Sequence, residues 1–240
     1  AGAPGRGLAR NQCNLGNLFL FTGLHAYTLA NAQAGAIRGE RLEFKMQNAR
    51  VNAGVLETAM SYPLRFHRIT VPKPWAGGHL RTLFPELSDL PAGTGETIEL
   101  ADLPGQTSVV ANGEWRKKTI RQVMHDHRAE LLGELADAND LPDFPLAVKL
   151  LDTAQPLSIQ DHPSDVRESG RLVQRGKSEC WVVLAADEGA VIYQGLKDGV
   201  KPEDFERALE DGNPADLMNA REVKPGDYLY NEAGMVHAIG

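Results

Sequence analysis

Cysteine is nearly missing from this chain: among 240 residues only Cys13 and Cys180 carry a thiol, and they lie far apart with no ladder of spacings. That excludes a disulfide framework and a thiolate zinc site, and it fits a reducing, cytoplasmic setting. An excess of positive charge is also missing. The 25 Lys and Arg residues are scattered, outnumbered by 32 Asp and Glu, and leave a formal charge of -7. No basic stripe is offered to a nucleic acid. An anionic ligand would need local cations to hold it against an unfavourable overall field. No apolar run reaches the ~20 residues that span a bilayer. No alternation of strand, glycine-rich loop and helix marks a nucleotide-binding fold. What is present, 42% hydrophobic and 24% charged residues, is ordinary for a globular chain able to bury a core in one domain.

The chain does not open on Met, and its early stretch LGNLFLFTGLHAYTLANAQAG follows Arg6 and Arg10 in the manner of a secretion signal. Gly16, Asn17, Gly23 and His25 interrupt the apolar part. We therefore expect residues 1–59 to be an extension outside the fold, and residues 60–240, from Met60 onward, to form the domain.

From Ser61 the texture changes. YPLRFHRITVP begins as strand, PKPWAGGHL reads as a turn leading to a short helix, and TGETIELAD and TSVVANG read as a pair of strands. Between Lys118 and Asp140, Ile120, Val123, Leu131, Leu132 and Leu135 recur at helical intervals and predict an amphipathic helix. FPLAVKLLDTAQPLSIQ returns to strand. ECWVVLAADEGAVIYQGL predicts two strands about a turn, and KPEDFERALEDGNPADLMNA two short helices. Hairpins dominate, with helices inserted between them, so the pattern predicts a mainly β protein, an antiparallel sandwich or jelly roll with short helical insertions.

Within this pattern LSIQDHPSD is unusual. In an extended chain alternate side chains share a face, so Gln160 and His162 project together where an apolar pair is expected. In GKSECW, Lys177, Glu179 and Trp181 alternate in the same way, and His237 follows a turn near the end of the sequence. Two imidazoles, one carboxylate and one amide oxygen form an acceptable ligand set for a catalytic divalent ion, leaving it net positive and open to water or substrate. Each residue also has a plainer reading. His162 precedes Pro163 and could cap a turn, Glu179 could simply pair with Lys177, and His237 could be exposed. Spacing alone leaves both readings open.

LSIQDHP, GKSECW, IYQGLKDGVKPEDFERAL and VKPGDYLYNEAGMVHAIG resemble the type I mannose-6-phosphate isomerases of the cupin superfamily, in their bacterial form. The likeness begins at MSYPLRFHRITVPKPWAGGHL and runs to the end in family order. It implies a cupin-type jelly-roll β-barrel with inserted short helices. It also implies one zinc ion per chain, bound by Gln160, His162, Glu179 and His237, with Ser158, Lys149 and Lys177 at the substrate. The reaction implied is the interconversion of mannose 6-phosphate and fructose 6-phosphate through an enediol. A metal on the sugar oxygens stabilises the charge that develops when C2 loses its proton. Beside a dication, like charge and desolvation favour a neutral amine, so Lys149 or Lys177 is the candidate base, with the other lysine and Ser158 left for the phosphate.

Two rivals share these residues: a non-catalytic metal-binding cupin, such as a sugar sensor or inactive fragment, and an iron-dependent cupin oxygenase. Lys177 beside Glu179 favours a phosphosugar over the oxygenase. Two departures from the family pattern stand out. A Trp is lost in ETIELAD, although Glu96 and Glu99 are kept, and the family continues beyond HAIG with further strands and an arginine near the substrate. The expectation is therefore a barrel incomplete at its C-terminal side and weak activity in this chain. Nothing in the composition fixes an oligomeric state, and no nucleic-acid or membrane partner is expected.

Overall fold

The computed structural model describes residues 17–23, 62–136 and 141–240. Thirteen strands appear among them. β1 (Asn17–Gly23), β2 (Ile69–Pro72), β3 (Thr94–Leu100), β4 (Asp102–Leu103), β5 (Gln106–Thr107) and β6 (Ala147–Thr153) come first. β7 (Val166–Glu168), β8 (Arg171–Gln174), β9 (Glu179–Ala185), β10 (Val191–Leu196), β11 (Met218–Glu222), β12 (Tyr228–Asn231) and β13 (His237–Ile239) follow. Four short α-helices interrupt them: α1 (Leu80–Leu83), α2 (Ile120–Asp126), α3 (Arg128–Leu132) and α4 (Pro202–Asp211). The expected mainly β chain with short helices is what forms.

The strands lie in a six-stranded sheet, ordered β12-β9-β1-β6-β3-β2, and a three-stranded sheet, ordered β11-β10-β13, with β4-β5 and β7-β8 as separate pairs. Every neighbouring pair in the two main sheets is antiparallel. β9 and β10 flank the turn near Asp187 as the sequence suggests, but they do not pair with each other. The turn carries the chain from one sheet to the other, and the core fills the space between. Trp181 and Val183 of β9 and Leu229 of β12 pack with Ile192 of β10, Ile239 of β13 and Val223. On the opposite face of the large sheet, Leu150 of β6 meets Leu80, Leu87 and Leu90, which α1 and the turn after it supply. This is the period-two logic of a strand buried on both faces: Leu150 points one way, while Lys149 and Leu151 point the other.

Two expectations need correction. The helix anticipated across 118–140 is two short helices broken at His127, whose backbone (φ -136, ψ 37) leaves helical geometry and whose Nδ1 lies 2.9 Å from Glu130. Thr119 and Gln122 close the start of α2 as a reciprocal capping box. Residues 137–140 of that stretch lie outside the described residues. The second correction concerns the extension. Asn17–Gly23 is a strand seated between β6 and β9, with Asn17 opposite Thr153 and Gly23 opposite both Ala147 and Glu179. An apolar, β-rich run can fill a slot with an unpaired strand on each side, which a reading along the sequence does not reveal. The rest of residues 1–59 lies outside the described residues.

Candidate metal centre

Main-chain hydrogen bonds bring the polar segments together. The stretch after β6 runs beside β13: Leu157 N–H donates to Ile239 O at 2.8 Å, Gln160 N–H to His237 O at 2.9 Å, and His237 N–H to Gln160 O at 2.8 Å. One step further, Gly234 N–H donates to His162 O at 2.7 Å and Lys177 N–H to Pro163 O at 3.0 Å. Gly176 makes the last approach possible, because a Cβ there would lie 2.5 Å from the backbone of Ser164 and Asp165. The segments bearing Gln160, His162, Lys177, Glu179 and His237 are thus laced to one another before any side chain is considered. The extended reading of LSIQDHP holds for its backbone, although Gln160 makes only an isolated bridge and His162 lies outside any strand.

The side chains then converge. One ligand atom from each of His162, Glu179 and His237 lies within 4.8 Å of the others. His162 Nε2 is 2.8 Å from Glu179 Oε1, and His237 Nε2 is 3.4 Å from Glu179 Oε2. Lys177 Nζ contacts Glu179 Oε1 and lies 3.0 Å from His162 Nε2. His237 Nδ1 sits 2.7 Å from Met235 O. A carbonyl only accepts, so Nδ1 carries a proton and Nε2 is the nitrogen left to ligate a metal, the orientation a metal-ligating histidine requires. Burial pushes the Glu179 carboxyl up, but contacts from His162, His237 and Lys177 outweigh it and hold the group well below the usual carboxylate range.

The fit to a divalent ion can be judged from these atoms. His237 and Glu179 are both 2% exposed, and His237 Nε2 is buried without a hydrogen bond, 3.4 Å from Glu179 Oε2. An unsatisfied buried polar atom is costly, and this one faces the carboxylate in a His-carboxylate-His cluster, a donor set suited to zinc or a similar ion.

Beside the cluster opens a cavity of about 250 Å³, lined among others by Ser158, Gln160, Lys177, Glu179, His237 and Lys149. Six of the seven residues singled out from the sequence line this cavity, and the seventh, His162, adjoins it through its contact with Glu179. Lys73, Trp75 and Glu96 line it as well, and no sequence motif marks Lys73 or Trp75. Lys149 Nζ is 2.8 Å from Glu96 Oε1, Lys73 Nζ is 3.5 Å from Glu96 Oε2, and Lys73 also lies 5.7 Å from the centre of the Trp75 ring. Glu96 was visible only as a retained carboxylate. Its diagonal pairing with Lys149 depends on the β3–β6 register, in which Ile98 opposes Lys149.

Fold and site together define a two-sheet β protein with a candidate divalent-metal centre at the mouth of a polar cavity. Comparison with known proteins narrows this. Residues 93–187 match the family model for the phosphomannose isomerase type I catalytic domain. Over 182 residues the chain is 35% identical to the mannose-6-phosphate isomerase of Streptococcus mutans, with 75% of this chain and 55% of that protein covered. Over 151 residues it is 37% identical to mannose-6-phosphate isomerase ManA of Bacillus subtilis, with 61% and 45% covered. The crystal structure of the Bacillus subtilis mannose 6-phosphate isomerase superposes with a TM-score of 0.61 at 31% identity, covering 74% of this chain and 55% of that one. A putative mannosephosphate isomerase from Archaeoglobus fulgidus gives 0.59 at 28%, covering 75% and 59%. The chain is a relative of the type I phosphomannose isomerases, and it spans about half the length of the curated relatives it matches.

Proposed function

We propose that this chain is the metal-binding part of a cytoplasmic aldose-ketose isomerase that interconverts mannose 6-phosphate and fructose 6-phosphate. Its sheets would belong to a cupin-type barrel. The observation that carries the reading is the His162-Glu179-His237 cluster, with Glu179 and His237 buried and His162 partly so, beside a cavity lined by lysines. Gln160, paired through its backbone with His237, would complete a zinc site with these three. When bound, zinc would supply Lewis-acid stabilisation of charge on the sugar oxygens.

The chain's own residues divide the remaining work. Proton transfer from C2 to C1 needs a base beside the carbon whose oxygen is polarised. Lys177, in contact with Glu179 and His162, is the lysine at that end of the cavity. We assign it the proton, which it takes from C2 and returns to C1 of the enediol. Lys149, held by Glu96, and Ser158 are assigned to the phosphate, where a fixed ammonium and a hydroxyl donate to its oxygens.

The test is the kinetics of two variants. Lys177→Ala should lower kcat by about 10²–10⁴-fold, the usual share of a general base, while leaving metal content at the wild-type level. Lys149→Ala should act mainly on KM. A Lys177→Ala enzyme with unchanged kcat would remove the assignment. Loss of bound metal in that variant would make Lys177 a structural partner of the centre.

A further inference from the structure

Asn231, on the strand beside Glu179, is used by none of the chemistry above, yet it is 1% exposed and its Nδ2 has no hydrogen-bond partner. Its orientation is fixed by a chain of forced choices. Gln194 Nε2 donates to the main-chain oxygen of Tyr230 at 2.6 Å, and a carbonyl can only accept, so that end of Gln194 is the amide nitrogen. The same Nε2 lies 2.9 Å from Asn231 Oδ1, so Asn231 must present its oxygen to Gln194 and direct Nδ2 elsewhere. In the β12–β9 register Asn231 stands directly opposite Glu179, and residues so paired project to the same face of a sheet. Gln194 in turn stands opposite His237 in the β10–β13 register. A neutral N–H donor, locked in orientation and buried, therefore lies alongside the cluster's one carboxylate.

This inference rests on the metal-centre reading. If His162 and His237 give their Nε2 lone pairs to an ion, neither can donate to Glu179. A ligating carboxylate directs one oxygen to the ion and needs donors to orient the other, and such supporting hydrogen bonds govern metal affinity. We infer that Asn231 is a positioning residue for Glu179: its amide nitrogen, unpartnered in this structure and pinned by Gln194, donates to the carboxylate once an ion is bound and fixes the angle at which it meets the ion. Lys177 can also reach Glu179, but it stands at the exposed side, with a side chain 45% accessible.

The experiment is chelator competition with zinc(II) on the purified full chain. Asn231→Leu keeps the volume and removes the donor, and it should weaken zinc binding by about 10–100-fold. Its metal-free form should melt no lower than the wild type, because an unpaired buried N–H group has gone and Gln194 keeps its bond to Tyr230 O. Asn231→Asp, which places a second carboxylate beside Glu179, should weaken binding further. Gln194→Leu, which releases the pin, should shift affinity in the same direction and serves if the Asn231 variants fold poorly. In a Glu179→Gln background the Asn231→Leu effect should vanish. Unchanged zinc affinity in Asn231→Leu and Gln194→Leu, or an equal loss with and without Glu179, would overturn the role. Failure of the wild type to bind zinc at all would instead remove the metal-centre reading on which it stands.

Discussion

At Glu179 a single carboxylate meets two imidazoles and an ammonium in a nearly sealed position, and its ionisation is a source of both chemistry and stability. Its folded-state value lies below the unfolded one, near ~4.3 for a free glutamate. It therefore contributes stability that is fully present above the unfolded value and is lost as pH falls through the acid range. Metal-free wild-type protein should lose melting temperature on going from about pH 5 toward pH 3, and Glu179→Gln should show a shallower fall over the same window. Parallel curves measured by circular dichroism would mean that Glu179 makes no net contribution. Much of this residue-scale picture was legible in the sequence, since residue type and period-two spacing single out Gln160, His162, Lys177 and Glu179. Two kinds of fact were not. The tautomer of His237 depends on Met235 O, a main-chain group with no residue signature. Glu96, the partner of Lys149, and Asn231, which stands opposite Glu179 across the sheet, sit on strands distant in sequence, and register alone brings them there.

Among the elements, β9 organises the molecule. Its inward residues Glu179, Trp181 and Val183 carry one candidate ligand and part of the core, and β1 and β12 flank it on either side. The strand itself was plain in the sequence, but its partners were not, because ECWVVLAADEGAVIYQGL looks like a hairpin whether or not its two strands pair. Likewise the apolar run containing Asn17–Gly23 reads equally as a signal-like segment or as a strand, and only the slot between β6 and β9 distinguishes them. A chain restarted at Met60 would leave β6 and β9 each with an unpaired edge. We expect its melting temperature to fall by several degrees, since even 1 kcal/mol moves a domain of this size by ~2–4 °C. An unchanged melting temperature would return the fold boundary to Met60.

For the whole molecule, the proposed function asks an acidic chain to collect an anion. The site meets that demand locally: Lys73, Lys149 and Lys177 line the cavity against Glu96 and Glu179, so its side chains sum to a positive charge even before an ion adds its own. The mainly β class followed from the spacing of hairpin signals. The assignment of strands to two sheets depended on long-range pairings that no local pattern encodes. The most direct test of the central claim is mannose 6-phosphate turnover to fructose 6-phosphate, followed while zinc is titrated into chelator-stripped protein, with His162→Ala alongside. The expected result is isomerisation that rises with zinc and saturates near one ion per chain, and that is lost together with stoichiometric zinc binding in His162→Ala. Stoichiometric zinc binding without turnover, or turnover indifferent to zinc and to His162, would contradict it.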